Sequence, residues 1–132
     1  MKTKYIAAGV LLACIGITLY YGRLSRDDFH LPKEKEAKLF VNSALKAPLL
    51  KYKIDMGSYP TEEEGKLLAL LYEPRERPGK WKGPYVDKLP DDPWGNPYQY
   101  KFPGIKNPES YDLWSTGPNV EDPDDDIGNW KE

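Results

Sequence analysis

The sequence has 132 residues, a length that bounds it to one small domain, and includes 13 Pro, 11 Gly, 4 Trp, 10 Tyr and 3 Phe. Aromatic residues at this density can form a core, which excludes an intrinsically disordered chain. The formal net charge of −2 is too small to predict a charged partner. Because basic residues do not cluster around aromatic ones and the C-terminal half is acidic, nucleic-acid binding is excluded.

Residues 1–31 are predicted to form a membrane anchor and linker. A run of 17 residues from Tyr5 to Tyr21 has no charged side chain. As a helix it would be about 25 Å long against a hydrocarbon thickness of about 30 Å, with Tyr5, Tyr20 and Tyr21 at the membrane surfaces. The lysines before the run favour a cytoplasmic amino terminus and a single pass, which places the rest of the chain outside the cytoplasm.

Two alternatives for this segment remain open. A cleaved signal peptide would need small residues at the cleavage site, and Tyr20-Tyr21-Gly22 fits that requirement poorly. The sequence Leu11-Leu12-Ala13-Cys14 is similar to a lipoprotein box, which would make Cys14 a lipidated amino terminus, although the apolar run continues after it. A permanent anchor with Cys14 facing lipid is the favoured interpretation.

Residues 32–132 are predicted to form a globular domain that begins with a long helix. Pro32 suits the first turn, and Gly57 marks the end. Pro48 lies inside this helix, removes one backbone hydrogen bond and is expected to bend it. Apolar residues at spacings of three and four form one face, which consists of Val41, Leu45, Leu49, Tyr52 and Met56.

A second, short helix is expected after a Tyr-Pro turn, because Thr61 and Glu64 form a capping box. Its leucines cover more than half of its circumference, so it should pack on the domain. These are Leu67, Leu68, Leu70 and Leu71. Residues 73–90 then form a long loop in which Trp81 and Tyr85 are the expected anchors, and loops of this length are uncommon unless they are functional.

The last third of the chain predicts a three-stranded antiparallel sheet. Alternating residues indicate strands at 98–102 and 110–116, and a third is expected at 126–130. A turn rich in Pro and Gly precedes the sheet. Trp94 in this turn is expected to be buried against the long helix, whereas Trp114 should lie on the other face of the sheet.

The turn between the second and third strands concentrates oxygen ligands. Five carboxylates lie within Glu121–Asp126. Like charges at this density need solvent or a cation to compensate them, and Ca²⁺ takes 6–8 oxygens from carboxylates, amides and carbonyls. The spacing does not fit the helix-flanked calcium motif, because Ile127 stands where that motif has glycine. A solvated acidic turn and a cation site both remain open.

The residue inventory argues against an enzyme. His30 and Cys14 are the only histidine and cysteine, so no Ser/His/Asp set, Cys/His pair or zinc spacing can be built, and no small-molecule substrate is expected. The alternative function is that of a glycan-binding module, in which the tryptophans would form a stacking platform beside a structural calcium. A core role is favoured for these tryptophans, which are Trp81, Trp94, Trp114 and Trp130.

Four motifs of the domain occur in a fixed order. They are Gly-Ser-Tyr-Pro-Thr-Glu-Glu-Glu-Gly at 57–65, Asp-Pro-Trp-Gly-Asn-Pro-Tyr at 92–98, Ser-Thr-Gly-Pro at 115–118 and Asp-Asp-Asp-Ile-Gly-Asn-Trp at 124–130. This set resembles the major pseudopilin of type II secretion, the general secretion pathway protein G family, and the similarity runs from about residue 36 to residue 130.

The resemblance implies a fold and a function. The fold is a pilin-like α+β arrangement of transmembrane helix, long bent helix, short helix, aromatic-rich loop and three-stranded antiparallel sheet with a calcium loop. The function is that of a structural subunit, anchored in the bacterial inner membrane with a periplasmic domain. It would assemble into, or dock on, a pseudopilus for protein export, with other pseudopilins or secretion-system subunits as partners.

The resemblance also implies a set of Ca²⁺ ligands. The side chains of Asn119, Asp125 and Asp126 match the family's ligands, and carbonyls near Thr116 and Val120 would complete the shell. Asn119 stands where the family usually has Asp, and this substitution lowers the formal charge of the site.

The amino terminus departs from the family pattern, which is a leader ending in Gly, followed by Phe and by a Glu four positions later. Here Gly9 is followed by Val10, and Cys14 stands where the Glu would be. We therefore expect the chain to stay uncleaved. The alternative function is an unprocessed, membrane-anchored domain that binds a protein partner or a glycan and is stabilised by calcium.

Overall fold

A computed structural model describes residues 31–130 of the chain. The predicted anchor, with Tyr5, Tyr20 and Tyr21, lies outside the described residues. Within 31–130, no helix has both the length and the apolar character needed to cross a membrane. The elements are α1 (Lys33–Leu39), a π-helical turn (Phe40–Ala44), α2 (Lys46–Met56), 3₁₀ helices at Lys66–Leu70 and Pro123–Asp125, and strands β1 (Gln99–Lys101), β2 (Asp112–Ser115) and β3 (Ile127–Gly128).

The predicted long helix is confirmed as α1, the π-helical turn and α2 in succession. It starts directly after Pro32 and ends at Gly57, whose φ of +88° is left-handed and whose N–H donates to the Lys53 carbonyl. The apolar face is also confirmed, because all five of its predicted members are buried.

The helix is bent as predicted, but Pro48 does not bend it by removing a hydrogen bond. The regular α-helix is interrupted by the π-helical turn and by Leu45, which has φ −97° and ψ 0°. A continuous helix would drive the Pro48 ring into the Ala44 carbonyl. Because α2 starts only at Lys46, Pro48 falls in its first turn, where the missing N–H would have had no intrahelical partner. Pro48 therefore breaks no hydrogen bond of α2.

The short helix is a 3₁₀ helix and covers less of the core than predicted. The capping box is present, with the Thr61 N–H 2.9 Å from Glu64 Oε2 and the Glu64 N–H 3.4 Å from Thr61 Oγ1. Gly65 then turns left-handed at φ +89°, so the capped turn cannot continue into an α-helix. With three residues per turn, Leu67 and Leu70 share the buried side, and Leu68 is 56% exposed.

The three-stranded antiparallel sheet is confirmed, in the order β1-β2-β3 and with shorter strands than predicted. Leu113 is fully buried, and Trp114, which lies opposite Gln99 and Gly128, is half-buried on the other face as expected. The expected burial of Trp94 is wrong, although its ring does lie beside α1. Its side chain is only half-buried, with the Lys33 ammonium 5.9 Å from its ring, because polar contacts rather than indole burial hold its turn.

The predicted anchors of the long loop are confirmed. The Trp81 indole N–H donates to the Ala69 carbonyl at 2.8 Å, and the Tyr85 hydroxyl donates to Asp55 Oδ2 at 2.9 Å. The two rings also meet edge to face with their centroids 5.7 Å apart. The loop between the 3₁₀ helix and the sheet is therefore fixed to both the short helix and α2, and it covers one side of the core.

Candidate metal loop and its supports

The candidate metal loop connects β2 to β3 and is closed at its base by a glycine. Gly117 follows β2 with φ +65°, a conformation that favours glycine. A Cβ atom at this position would lie 2.3 Å from the Asp125 carbonyl oxygen. The two ends of the loop therefore approach so closely that only glycine fits, and this contact sets the width of the loop.

Short-range hydrogen bonds shape the tip of the loop. The Asn119 side-chain oxygen accepts from the Glu121 N–H at 3.2 Å, and the Asp122 carboxylate accepts from the Asp124 N–H at 3.1 Å. The Asp122 N–H donates to the Asn119 carbonyl at 3.0 Å. These contacts follow from the habit of Asn and Asp side chains of capping nearby backbone N–H groups in turns.

Carboxylates are crowded at the end of the loop. Burial raises the pKa of Asp126, and the neighbouring carboxylates of Asp122 and Asp125 raise it further. The charged form of Asp126 is therefore less favourable than that of a solvated carboxyl group. A bound cation would reverse this effect.

The predicted ligands fall into two groups. Asp125 and Asp126 lie at the base of the loop, near Thr116, which directly follows β2, whereas Asn119 and Val120 lie at its exposed tip. Residues 31–130 hold no cluster of three or more His, Cys, Asp or Glu side chains placed for a metal ion. The predicted set has only two carboxylates and takes its other oxygens from an amide and from backbone carbonyls.

Asp92 holds the base of the loop through Ser115, and the sequence did not predict this role. Its buried carboxylate accepts from Ser115 Oγ at 2.5 Å and from the N–H groups of Trp94 and Asn96 at 3.0 and 2.8 Å. The Gly117 N–H in turn donates to Ser115 Oγ at 3.0 Å. Asp92 thus joins the turn before the sheet to the base of the loop. An Asp followed by Pro in a turn signals such capping, but not the long-range serine partner.

Asp112 is a second buried carboxylate that the sequence interpretation did not single out. It accepts from three successive backbone N–H groups, those of Ile105, Lys106 and Asn107, at 2.7–2.9 Å. Gly104 allows this approach, because a Cβ there would lie 2.6 Å from Asp112 Oδ1. The connection between β1 and β2 is therefore wrapped around one carboxylate on the outer face of the sheet.

Trp114 and Trp130 lie together on this outer face, beside an open groove of about 1180 Å³. Their ring centroids are 6.1 Å apart and the rings are tilted by 54°. Trp130 lies over Gly128, where a Cβ would be 2.3 Å from the ring, and the Lys106 ammonium is 6.0 Å from its centroid. Both side chains are half-buried. These contacts on Trp130 favour a packing role over a flat stacking platform.

Comparisons with known proteins agree with this architecture. The family model for type II secretion system protein G matches residues 29–130. The type II secretion system core protein G of Pseudomonas aeruginosa is 47% identical over 94 residues, which cover 66% of this chain and 64% of that protein. The protein of the same name from Klebsiella pneumoniae is 43% identical over 91 residues, covering 66% and 63%. The chain thus spans somewhat less than two thirds of these relatives.

A solved structure matches as well. The crystal structure of the major pseudopilin from the type 2 secretion system of enterohaemorrhagic Escherichia coli has a TM-score of 0.60 and 36% sequence identity. The match covers 78% of this chain and 98% of that one, so it includes nearly every element of the solved domain. On these grounds the chain belongs to the type II secretion system protein G family.

Proposed function

We propose that this chain is a structural subunit of a type II secretion system, which assembles into or docks on a periplasmic pseudopilus during protein export. The observation that carries the proposal is the match to nearly the whole of a solved major pseudopilin at 36% identity. Protein G relatives are named as core components of the secretion system. The partners would be other pseudopilins or secretion-system subunits.

The surface of the long helix supports a role in assembly. Leu50 and Ile54, which lie one turn apart on α2, are 50% and 73% exposed. Helix α2 therefore carries apolar residues on its outer side as well as on its buried face. An apolar helix face that the domain itself does not cover is suited to packing against a neighbouring subunit.

The membrane anchor belongs to the same proposal. The uncharged run from Tyr5 to Tyr21 would hold the chain in the bacterial inner membrane with its amino terminus in the cytoplasm and its domain in the periplasm. Tyr5, Tyr20 and Tyr21 would lie at the membrane surfaces. In this arrangement the domain is presented to secretion-system partners next to the membrane.

A structural Ca²⁺ is proposed for the loop between β2 and β3. The residues fit this ion, because Asp126 is surrounded by like charge and because the loop offers the oxygen types that Ca²⁺ binds. Asn119, Asp125 and Asp126 would hold it with their side chains, and Thr116 and Val120 with their carbonyls. When bound, the ion would supply positive charge that offsets carboxylate repulsion and ties the tip of the loop to its base.

Complementation tests the proposed function. The full chain would be expressed in a bacterium whose own protein G gene has been deleted, and export of a type II substrate would be measured. Restored export with the wild-type chain would show that it assembles as a protein G subunit, and we expect Ile54→Glu, which places a charge on the outer side of α2, to abolish that export. Ile105→Glu is the matched control, because Ile105 is 71% exposed but lies in the loop between β1 and β2.

The outcomes separate the parts of the proposal. Full export with Ile54→Glu would contradict a role for this helix face in assembly. A wild-type chain that is produced at normal levels and restores no export would contradict a function as an interchangeable protein G subunit. Thermal melting of both variants shows whether the domain is still folded.

A further inference from the structure

Thr116 carries a polar atom that the fold alone does not explain. Its hydroxyl oxygen is buried, with less than 1 Å² exposed, and has no hydrogen-bond partner among the residues that the structure describes. Buried hydroxyl groups are almost always paired, because an unpaired one disfavours the folded state. Among residues 31–130 the Tyr52 hydroxyl shares this property, but only Thr116 lies beside the candidate metal loop, where a bound cation would satisfy its oxygen.

The register of the sheet places this hydroxyl next to the carboxylates of the loop. Ser115 lies opposite Ile127 in the antiparallel pair of β2 and β3, so Thr116 lies opposite Asp126. Asp126 continues the extended backbone, with φ −63° and ψ 130°. Side chains directly opposite each other in such a pair have Cβ atoms about 4.5–5.5 Å apart and point to the same face.

The residue after Thr116 also lies beside Asp125, since a Cβ built on Gly117 would be 2.3 Å from the Asp125 carbonyl oxygen. Thr116 therefore borders both carboxylate residues at the base of the loop. Asn119 supplies a neutral amide at the tip, so the predicted ligands carry only two formal charges. A neutral hydroxyl would add an oxygen to this set without adding charge repulsion, and Ca²⁺ needs 6–8 oxygens.

We infer that the Thr116 hydroxyl is a direct ligand of the Ca²⁺ that the loop binds. This inference rests on the proposed calcium site and extends it, because the resemblance implies only a backbone carbonyl at this position. The side chain then supplies one oxygen to a site in which residue 119 is a neutral amide and not a carboxylate.

Two variants of the full-length chain in detergent test the inference. Thr116→Val keeps the shape of the side chain and removes the oxygen, whereas Thr116→Ser keeps the oxygen. Calorimetric titration with CaCl₂ should give a Kd about tenfold weaker for Thr116→Val, equivalent to about 1.4 kcal/mol. Thr116→Ser should stay within about threefold of wild type.

Thermal melting gives a second readout, because the effect of Thr116→Val on the melting temperature should differ in sign between EDTA and Ca²⁺. In EDTA, Thr116→Val should melt at the same temperature as wild type or higher, because it removes a hydroxyl that has no partner in the metal-free protein. In saturating Ca²⁺ the same variant should melt lower than wild type, because it loses a ligand. Only a metal ligand predicts this change of sign.

Other results would overturn the inference in distinguishable ways. A Kd for Thr116→Val within twofold of wild type would show that the hydroxyl is not a ligand. An equal drop in melting temperature with and without Ca²⁺, or a variant that does not fold in EDTA, would show that it has a protein partner instead. If the wild-type chain binds no Ca²⁺ at all, the calcium site itself is wrong, whereas the pseudopilus proposal still stands on complementation.

Discussion

Arg77 joins three distant parts of the domain through one guanidinium. It forms an ion pair with the buried carboxylate of Glu64, donates to the Met56 carbonyl at 2.7 Å and donates to Ser58 Oγ at 3.0 Å. The long loop is thereby bound to the end of α2 and to the capping box. The Glu64 side chain is only 3% exposed, so it depends on this partner for its charge.

Removal of this guanidinium should destabilise the domain. We expect Arg77→Met to lower the free energy of unfolding by roughly 2–4 kcal/mol, somewhat less than for a fully buried pair because the Arg77 side chain is 31% exposed. Urea denaturation measures the difference. Arg75→Met is the matched control at an exposed position of the same loop, and its effect should stay below about 0.5 kcal/mol. Equal effects of the two substitutions would contradict the assigned role.

The same pair predicts a pH dependence. Burial raises the pKa of Glu64, but the hydrogen bonds from Arg77 and from the Thr61 N–H outweigh burial, so the pKa in the folded protein lies below its ordinary value. The stabilisation is present above the unfolded pKa of about 4.3 and is lost as pH falls through the folded value. The stability difference between wild type and Arg77→Met should therefore shrink below about pH 4.

The sequence indicates which residues cap turns but not which distant groups they join. The Thr61–Glu64 capping box could be predicted, because its two members are three positions apart. Arg77 and Asp92 could not, because their partners lie far along the chain and become neighbours only when the loop and the sheet have packed. Likewise, the role of Asp112 depends on a loop conformation that composition does not determine.

The long helix shows the same limit at the scale of an element. Its buried face follows from apolar spacing, and its end follows from Gly57. The π-helical turn has no comparable signal in the sequence. It accommodates the Pro48 ring and keeps the apolar face of α1 and α2 directed toward the core. The sheet was predicted in the right order, since alternation and turns are local, but its strands are shorter than the alternating segments.

Two substitutions test this account of the helix. Pro48→Ala should change the free energy of unfolding by less than about 1 kcal/mol, because Pro48 stands in the first turn of α2 and displaces no helical hydrogen bond. Gly57→Ala should cost about 1–2 kcal/mol, because alanine is strained at φ +88°. Both values come from urea denaturation. A gain of several kcal/mol in Pro48→Ala would show that the proline strains α2 or costs it a hydrogen bond.

The loop between β2 and β3 should make the melting temperature of the domain depend on Ca²⁺. Its base is fixed by Gly117, Ser115 and Asp92, whereas its tip is exposed and carries most of the negative charge. Ca²⁺ should therefore raise the melting temperature relative to chelator, because a ligand that binds only the native state stabilises it. Asp126→Asn should reduce this increase, and Asp91→Asn, an exposed carboxylate outside the loop, should not. Equal melting of the wild type in both conditions would contradict the site.

On the scale of the whole domain, residues 31–130 form one layer of helix against one small sheet, and partly buried aromatic rings pack around a core of aliphatic and tyrosine side chains. Tyr59 contacts Phe102 and Tyr111 edge to face, and Phe40 stacks on Tyr98 with centroids 4.1 Å apart. The aromatic-rich composition could predict that rings pack on the core, because large apolar rings gain from burial. Their pairing follows from the three-dimensional packing and has no signature in the sequence.

The amino terminus decides how this domain would take part in a pseudopilus. The family resemblance implies that a Glu near the start of the apolar helix offsets the free amino group of a processed neighbour, and here Cys14 stands in that position. A free amino terminus inside the membrane without such a partner is costly. The chain should therefore stay uncleaved and present its domain from a permanent anchor. Amino-terminal sequencing of the membrane-extracted protein should begin at Met1 or Lys2. A start at Val10, after Gly9, or at Ile17, after Gly16, would instead show processing and favour a polymerising subunit, and a lipid on Cys14 would show a lipoprotein anchor.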